Sequence, residues 1–405
     1  MLLGVRHQTL YAYVSRGLIH NVTQQGRKER LYSRADINKL YDRASARAGH
    51  GPVAAAAMNW GEPIIATAVT EITARGPSYR GHLAVDLASA KATFESVAEL
   101  LWHGRWDPHA GPWPLSRIAA RPGTVLPALG AMRGNGDLIE VLAAATVVAG
   151  LSRDSVVQRI ESAPIFSVAE EIIQVMVGLS GFAGHRAAYF RMRDGQTIVG
   201  ALIESLAILP SEENVEALGA ILTLLADHEL SPGTLVARVC ASSESSVHSA
   251  VAAAVCASSG ATTGRLHEAI HEFFRCADNA GLLIERKKQW QARGIAVPGF
   301  GHPLYPQGDP RANHLLTLVH GRAEQTMEMR AAYEFIDQHC TDEGVFPRHE
   351  LALSMLVEAM GLPMHFSTFL FALARTVGWI AHIHEQKAKG FLLRPRARFV
   401  GQHQD

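Results

Sequence analysis

Fifteen consecutive residues, Val297-Pro298-Gly299-Phe300-Gly301-His302-Pro303-Leu304-Tyr305-Pro306-Gln307-Gly308-Asp309-Pro310-Arg311, hold an imidazole, a carboxylate and a guanidinium among four prolines and three glycines. Proline removes a backbone donor and glycine loosens the chain, so this density excludes a helix interior and predicts a loop. Gly299 and Gly301 let backbone approach a ligand closely, while the prolines stiffen the turn that follows. A rigid loop that displays His302 and Arg311 together suits an anionic, carbonyl-bearing small molecule. The competing reading is a structural connector whose polar groups face water.

A second set of residues has the spacing of a metal site. His267-Glu268-Ala269-Ile270-His271 is formally HExxH on a predicted helix, with Glu285 as an imaginable third ligand. The longer zinc-protease pattern fails, because Phe274 and Ala277 stand where Gly and His belong. With 20 histidines in the chain, a chance match is unsurprising, and no metal is expected.

The elements that must position these residues are helical. Apolar positions at i, i+3 and i+4 mark 84–90, 93–102, 136–148, 167–179, 197–209, 218–225, 234–239, 245–255, 266–277, 312–320, 325–336, 350–360 and 367–385. Alternation with period two is rare, and 62–69 is the best candidate for short strands. Many helices with almost no sheet predict an all-α body of enzyme size. No GxGxxG precedes a helix and no GxxxxGK[ST] occurs, so neither common nucleotide-binding turn is expected.

Composition narrows the function classes. The 405 residues are 48% hydrophobic with formal net charge zero, which points to neither nucleic acid nor membrane as a global partner. No segment reaches the roughly 20 apolar residues of a membrane span, and the first residues do not resemble a signal peptide. Cys240, Cys256, Cys276 and Cys340 lack paired spacing and read as reduced thiols, mostly in the core, of a cytoplasmic protein.

Charge is uneven, however, since residues 1–47 carry a net +6 and the remainder −6. Residues 4–19 predict a short helix closed by Gly17, residues 26–32 a basic hairpin, and Arg34–Ile37 another helix start. This stretch resembles the winged helix-turn-helix of small regulators typified by mercury-resistance repressors. Gln8, Thr9 and Tyr13 would then lie on the recognition helix, and Arg27, Lys28 and Arg30 on the wing. The resemblance begins at the second helix, so the unit 1–45 is partial, either a remnant or the product of an upstream start. DNA contact and simple docking both stay open, and 46–57 is a linker.

Four stretches in order resemble the citrate synthases: Ser78–Gly81 with Thr93–Trp102, then Ala226-Asp227-His228-Glu229, then the loop 297–311, then Phe371–His382 with Arg394-Pro395-Arg396. The likeness covers residues 58–401. It implies a large helical domain (58–264 and 356–405) and an inserted smaller one (265–355). It also implies a homodimer that shares an arginine across subunits. The implied reaction condenses an acyl-CoA, acetyl-CoA above all, with oxaloacetate or a related 2-oxo acid. Acyl-CoA is a co-substrate, and no permanently bound cofactor is implied. By resemblance, His228 and His302 contact oxaloacetate and His302 polarises its ketone. Arg311, Arg375 and Arg394, the last from the other subunit, clamp its carboxylates. The backbone of Val297, Pro298, Gly299, Phe300 and Gly301 cradles the adenine end of CoA.

The chain departs from the family at two catalytic positions. Where citrate synthases place the histidine that holds the thioester carbonyl, Gly260–Arg265 puts Thr263. Where they place the aspartate base, in an Asn-Val-Asp-Phe-like turn, Pro347-Arg348-His349-Glu350-Leu351 puts Glu350. A carboxylate moved by about 1 Å can lose roughly 10²-fold in rate, and a missing enolate donor 10²–10³. His267 and His271 are candidate replacements, and Glu350 has a competing role as a helix-start acid. Two readings follow: an impaired or altered acyltransferase, or a non-catalytic relative. The second would sense oxaloacetate or citrate, or pair with an intact paralogue.

Overall fold

In a computed structural model, the described residues are 13–14, 19, 21–23, 30–32, 36 and 65–395, apart from 121, 124, 126–137, 152–163, 183–187, 261, 263 and 323–325. The chain forms two compact units, Met1–Ala66 with Pro395–Asp405, and Thr67–Arg394. In the first, strands β1 (Asn21–Thr23) and β2 (Arg30–Tyr32) pair antiparallel with Val22 opposite Leu31. The pair begins at Asn21, before the hairpin expected over 26–32, and the described residues do not support the winged helix-turn-helix. Gln8, Thr9, Arg27 and Lys28, on which groove reading would rest, lie outside the described residues.

The second unit opens with a three-stranded antiparallel sheet: β3 (Thr70–Thr73), β4 (Gly76–Tyr79) and β5 (His82–Leu83). The strand signal assigned to 62–69 falls too early, because 65–69 is irregular. The turns fix the true register. Arg80 and Gly81, at φ 50° and 91°, form a two-residue reversal that suits the twist of paired strands.

Helices follow: α1 (Ala84–Ser89), α2 (Phe94–His103), α3 (Arg117–Ala120), α4 (Leu138–Leu151), α5 (Ile165–Ser180), α6 (Ile198–Leu206) and α7 (Glu212–Leu224). Next come α8 (Pro232–Ser242), α9 (Val247–Ser258), α10 (Leu266–Phe274), α11 (Ala280–Ala292) and α12 (Pro310–His320). The chain closes with α13 (Met327–Glu343), α14 (His349–Ala359) and α15 (Phe366–Lys389). All but α3 and α11 lie where the apolar periodicity places helices. The run of α11, Ala280 to Ala292, is charged on nearly every face and buries only Ala280 and Leu283. Its stability comes from packing rather than from a stripe visible in sequence.

Two cores hold the unit together. The larger gathers α1–α9, α12 and α14 around α15, with Ile270 of α10 and Met329, Ala332 and Ile336 of α13. The smaller joins Phe273, Ala277, Ala280, Leu283, Val297 and Phe335, with Trp290 and Phe300 against it. Helix α15 is long and apolar enough to cross a membrane, but 94% of its most apolar window is buried, as in a core helix. The cysteines are free, yet Cys256 and Cys276 are exposed and Cys240 and Cys340 half-buried. Cys240 and Cys340 pack against the larger core, while Cys256 and Cys276 do not lie in it as composition suggested.

Candidate active site

The floor of the site is the C-terminal end of α7, pinned from two sides. Tyr79 Oη, buried in β4, meets the carbonyl oxygens of Thr223 at 3.0 Å and Leu224 at 3.1 Å. From α15, Arg375 Nε donates to the Leu225 carbonyl at 2.7 Å and the Gly378 amide to the Ala226 carbonyl at 3.0 Å. A side chain at Gly378 would collide with Asp227 and the Ala226 carbonyl, so this approach demands glycine. The buried Asp227 and His382 lie 3.2 Å apart. Residues 225–227 are thereby fixed by β4 and α15, which sets the position of His228.

The signature loop supplies the facing wall. Gly299 and Gly301 have φ of +85° and +71°, and a Cβ at Gly299 would lie 2.9 Å from Leu351 Cβ. The loop is stitched to the turn before α14: the Gly301 amide donates to the Phe346 carbonyl at 2.9 Å, and the Arg348 amide to Gly299 at 2.8 Å. Asp309 then caps α12 through the Arg311 amide, with Pro310 at the first helical position. The same carboxylate takes Arg311 Nε at 3.0 Å and Nη2 at 2.8 Å. The loop is thus the rigid element that its composition predicts, and the close approach at Gly299 is to Leu351 and Ile270.

These walls bring four expected residues together. The rings of His228 and His302 lie 5.5 Å apart, and His228 Nε2 is 3.0 Å from the Tyr305 hydroxyl. The Arg311 guanidinium stands 5.6 Å above Tyr305, and Arg375 stands 4.9 Å above Phe371. Phe371 in turn packs on His349, whose ring is 6.5 Å from that of His302. Tyr305, Asp309, Arg348, His349 and Phe371 therefore belong to the site although their roles were not assigned from sequence. Two signals were available: Asp309 stands directly before Pro310-Arg311, and Arg348-His349 flank the base position.

Protonation follows from burial. Burial and the Arg311 charge lower the His302 imidazole to about 4, leaving it neutral near pH 7. The Leu304 amide donates to His302 Nδ1 at 3.2 Å, so the neutral ring carries its proton on Nε2, as a hydrogen-bond donor. Burial, then Arg311 and Arg375, lower His228 as well. Arg375 is 2% exposed, and burial pulls even its guanidinium down to about 10, with Asp227 only partly compensating. Such a cation gains from an incoming anion. Arg311 differs, because Asp309 already neutralises it, although its buried Nη1 has no partner among the described residues.

Glu350 sits in the first turn of α14, 6% exposed. It is the acid of the helix start, and Arg348 also grips it, Nε to Oε2 at 3.1 Å and Nη2 to Oε1 at 2.6 Å. His349 Nδ1 is 3.2 Å from the same carboxylate and accepts from Arg311 Nη2 at 3.0 Å. Burial pushes the Glu350 carboxyl up, but His349 and Arg348 outweigh it and bring it down to about 2.

The replacements considered for the thioester histidine fare differently. Buried His267 bonds Ser354 at 2.8 Å on α14, below the Glu350 turn. His271 is exposed and lines a separate cavity with Glu328 and Glu358, so the two imidazoles do not share a site. Thr263 lies outside the described residues, and Arg394 is exposed at the end of the unit. The described group with metal-like spacing is His302, Asp309 and His349, not His267 and His271. Arg311 already occupies both Asp309 oxygens and His349 Nδ1, so a metal ion would have to sit against a guanidinium.

A family model described as citrate synthase, C-terminal domain, matches residues 58–396. The chain belongs to the citrate synthase family. It is 32% identical over 199 residues to citrate synthase 2 of Bacillus subtilis, covering 47% of this chain and 52% of that protein. The chain thus spans about half the length of that relative. It is 27% identical over 367 residues to the citrate synthase of Mycolicibacterium smegmatis, covering 84% and 93%. With the 2-methylcitrate synthase of Mycobacterium tuberculosis it shares 25% over 360 residues, covering 84% and 88%. Among solved structures, the citrate synthase of Thermoplasma acidophilum, in ternary complex with carboxymethyl coenzyme A and oxaloacetate, matches at TM-score 0.72 and 21% identity. That match covers 85% of this chain and 95% of the other. The Thermotoga maritima citrate synthase gives 0.71 at 22%, again over 85% and 95%. At these identities the likeness establishes the citrate synthase fold, which is all-α.

Proposed function

We propose that this citrate synthase relative condenses an acyl-CoA with oxaloacetate or a related 2-oxo acid. The observation that carries this reading is the neutral His302, with Nε2–H as donor, 5.5 Å from the ring of His228, on which the under-neutralised Arg375 also bears. Arg375 holds a carboxylate of the oxo acid, aided by the free Nη1 of Arg311, and Arg394 of a second subunit completes the clamp. Two hydrogen bonds of Arg311 are spent on Asp309, so Arg375 is the principal anchor. His302 polarises the ketone and His228, held by Tyr305, borders the same ligand. The backbone 297–301 takes the CoA side, and Glu350 is the base that removes the proton alpha to the thioester. Residues 265–355, with their own small core, act as a smaller domain over the larger one.

Thiol release tests this directly, using acetyl-CoA or propionyl-CoA with oxaloacetate and other 2-oxo acids. Turnover is expected, slower than the roughly 10 s⁻¹ of a typical enzyme; none above about 10⁻⁴ of that value would overturn the reading. The grip of Arg348 on Glu350 favours a second one, a ligand-binding subunit without turnover that senses oxaloacetate or citrate or serves an intact paralogue. On that reading ligand at 100 times Kd raises stability by about 2.7 kcal/mol while no thiol appears. The net +6 of residues 1–47 is the support for linking such a sensor to DNA, and retardation of duplex DNA by the full chain is its test.

A further inference from the structure

Arg348 is the least explained charge in the site. It occupies the position before α14 without capping the helix, and its guanidinium lies flat on the Glu350 carboxylate in a two-point pair. Its backbone amide holds Gly299, so the guanidinium stands where the CoA-facing loop meets the base. Its side chain is 24% exposed while that of Glu350 is 8% exposed, so the cation is the outer partner of the pair.

We propose that Arg348 is the electrophilic catalyst of enolisation, the group that receives the charge leaving Glu350. This rests on Glu350 being the base. In the resting site the pair is neutral. When a Glu350 oxygen takes the alpha proton, the C–H bond breaks and an O–H bond forms. The C–H electron pair becomes the carbon–carbon π bond, and the carbonyl π pair moves onto the thioester oxygen. The C–S bond stays intact. Negative charge has then left the carboxylate and appeared on the enolate oxygen, and Arg348, protonated throughout, stays paired by turning its donors from one to the other. A cation placed where charge develops is the most effective kind of electrostatic catalyst. Arg348 thereby does the work for which citrate synthases use the histidine that Thr263 replaces.

The pair also weakens Glu350 as a base, and this makes the proposal decidable by sign. The groups that bear on Glu350 are Arg348 and His349 of its own turn, His267 of α10, Arg311 of α12 and Arg375 of α15. Removing Arg348 lets the carboxyl rise from about 2 towards its ordinary 4.5. If Arg348 only damped the base, its loss would speed enolisation. If it carries the enolate, its loss slows the step although the base is stronger.

The experiment measures both deuterium uptake at the alpha carbon of acetyl-CoA in D2O and overall thiol release. The full chain is compared with Arg348→Asn and Arg348→Lys. Expected for Arg348→Asn is a loss of about 10²–10³ in exchange and kcat, with KM for oxaloacetate within about threefold. Arg348→Lys, which keeps the charge, should retain at least tenfold more, and guanidinium ion should partly rescue Arg348→Asn. Faster or unchanged exchange in Arg348→Asn overturns the proposal. So does equal loss in both variants with unaltered melting. Exchange by the wild type without thiol release, lost in Arg348→Asn, would refute the proposed condensation while supporting the role of Arg348. No exchange at all would refute both.

Discussion

The two halves of the site are built from the same kinds of residue but are charged in opposite ways. The oxo-acid half, around His228, His302, Arg311 and Arg375, contains one neutralised guanidinium and one buried cation short of a counterion. The thioester half, around Arg348, Glu350 and His267, contains an ion pair whose carboxylate already has its partner. An anion entering the first half relieves an electrostatic deficit, and a neutral thioester entering the second finds a pair it must rearrange. Binding therefore concentrates on one side and chemical difficulty on the other.

The strongest way to break the comparison is to remove the under-neutralised cation. Arg375→Ala should abolish the thermal shift caused by oxaloacetate and lower kcat/KM by about 10³ or more. The loss has two sources: an anchor disappears, and the Leu225 carbonyl that it holds is left unpaired. Arg375→Lys keeps charge but not the fork and should fall between. If saturating oxaloacetate still raised the melting temperature of Arg375→Ala by the wild-type amount, the anchor would lie elsewhere.

A smaller effect should come from restoring the family residues in the thioester half. The double variant Thr263→His, Glu350→Asp is expected to change kcat by about 10²-fold while leaving oxaloacetate affinity within about threefold. Where Arg348 serves the enolate, the new histidine duplicates it and the gain shrinks. Combined with Arg348→Asn, the reversion should recover more than it gains alone. Strict additivity in that cycle would mean that Arg348 and residue 263 do not act on the same oxygen.

These expectations also mark what could be read from the chain alone. The helices with an apolar stripe, the stiffness of 297–311 and the grouping of His228, His302, Arg311 and Arg375 follow from periodicity, proline and glycine content, and family motifs. Helix α11 was hidden because Lys287, Lys288 and Arg286 leave no stripe to see. The sheet 70–83 was hidden because two-residue turns, not alternation, fix it. The pairing states were hidden for a different reason. Whether Arg311 faces a ligand or Asp309, and whether Glu350 is free or held by Arg348, depends on distances of a few tenths of an ångström between side chains. Residue type constrains the partners that are possible, and packing selects among them.

Between the halves, at their shared backbone seam, Gly299→Ala should have a more modest effect. Its φ of +85° and the 2.9 Å approach of Leu351 mean that an added Cβ shifts the loop. An energy of about 1–3 kcal/mol is expected from strain of this kind. It should appear as a rise of about tenfold in KM for acyl-CoA, with the oxaloacetate-induced thermal shift preserved. Loss of both affinities together would show that the seam transmits strain to His302 and that the halves are not separable.

The smallest effect separates the halves by pH. Burial lowers His228 and His302 in the oxo-acid half, and brings His267 to about 4, so these rings fold as neutral imidazoles. A histidine with a depressed folded pKa binds more protons when unfolded. Its stabilisation is complete above the ordinary 6.5 and is lost as pH falls towards the folded value. Glu350 has its depressed carboxyl in a lower window, so its contribution persists through pH 5 and is lost only between about 4.5 and about 2. Denaturant unfolding at pH 6 and pH 5 should therefore show falling stability. His267→Asn should reduce that fall by about 1 kcal/mol, the share of one fully buried ring. Arg348→Asn should leave the slope over this interval unchanged while lowering stability throughout it, and should shrink the further loss that wild type shows between about 4.5 and about 2. A fall between pH 6 and 5 that is the same in His267→Asn and wild type would mean that His267 folds charged, with Glu350 rather than burial setting its state.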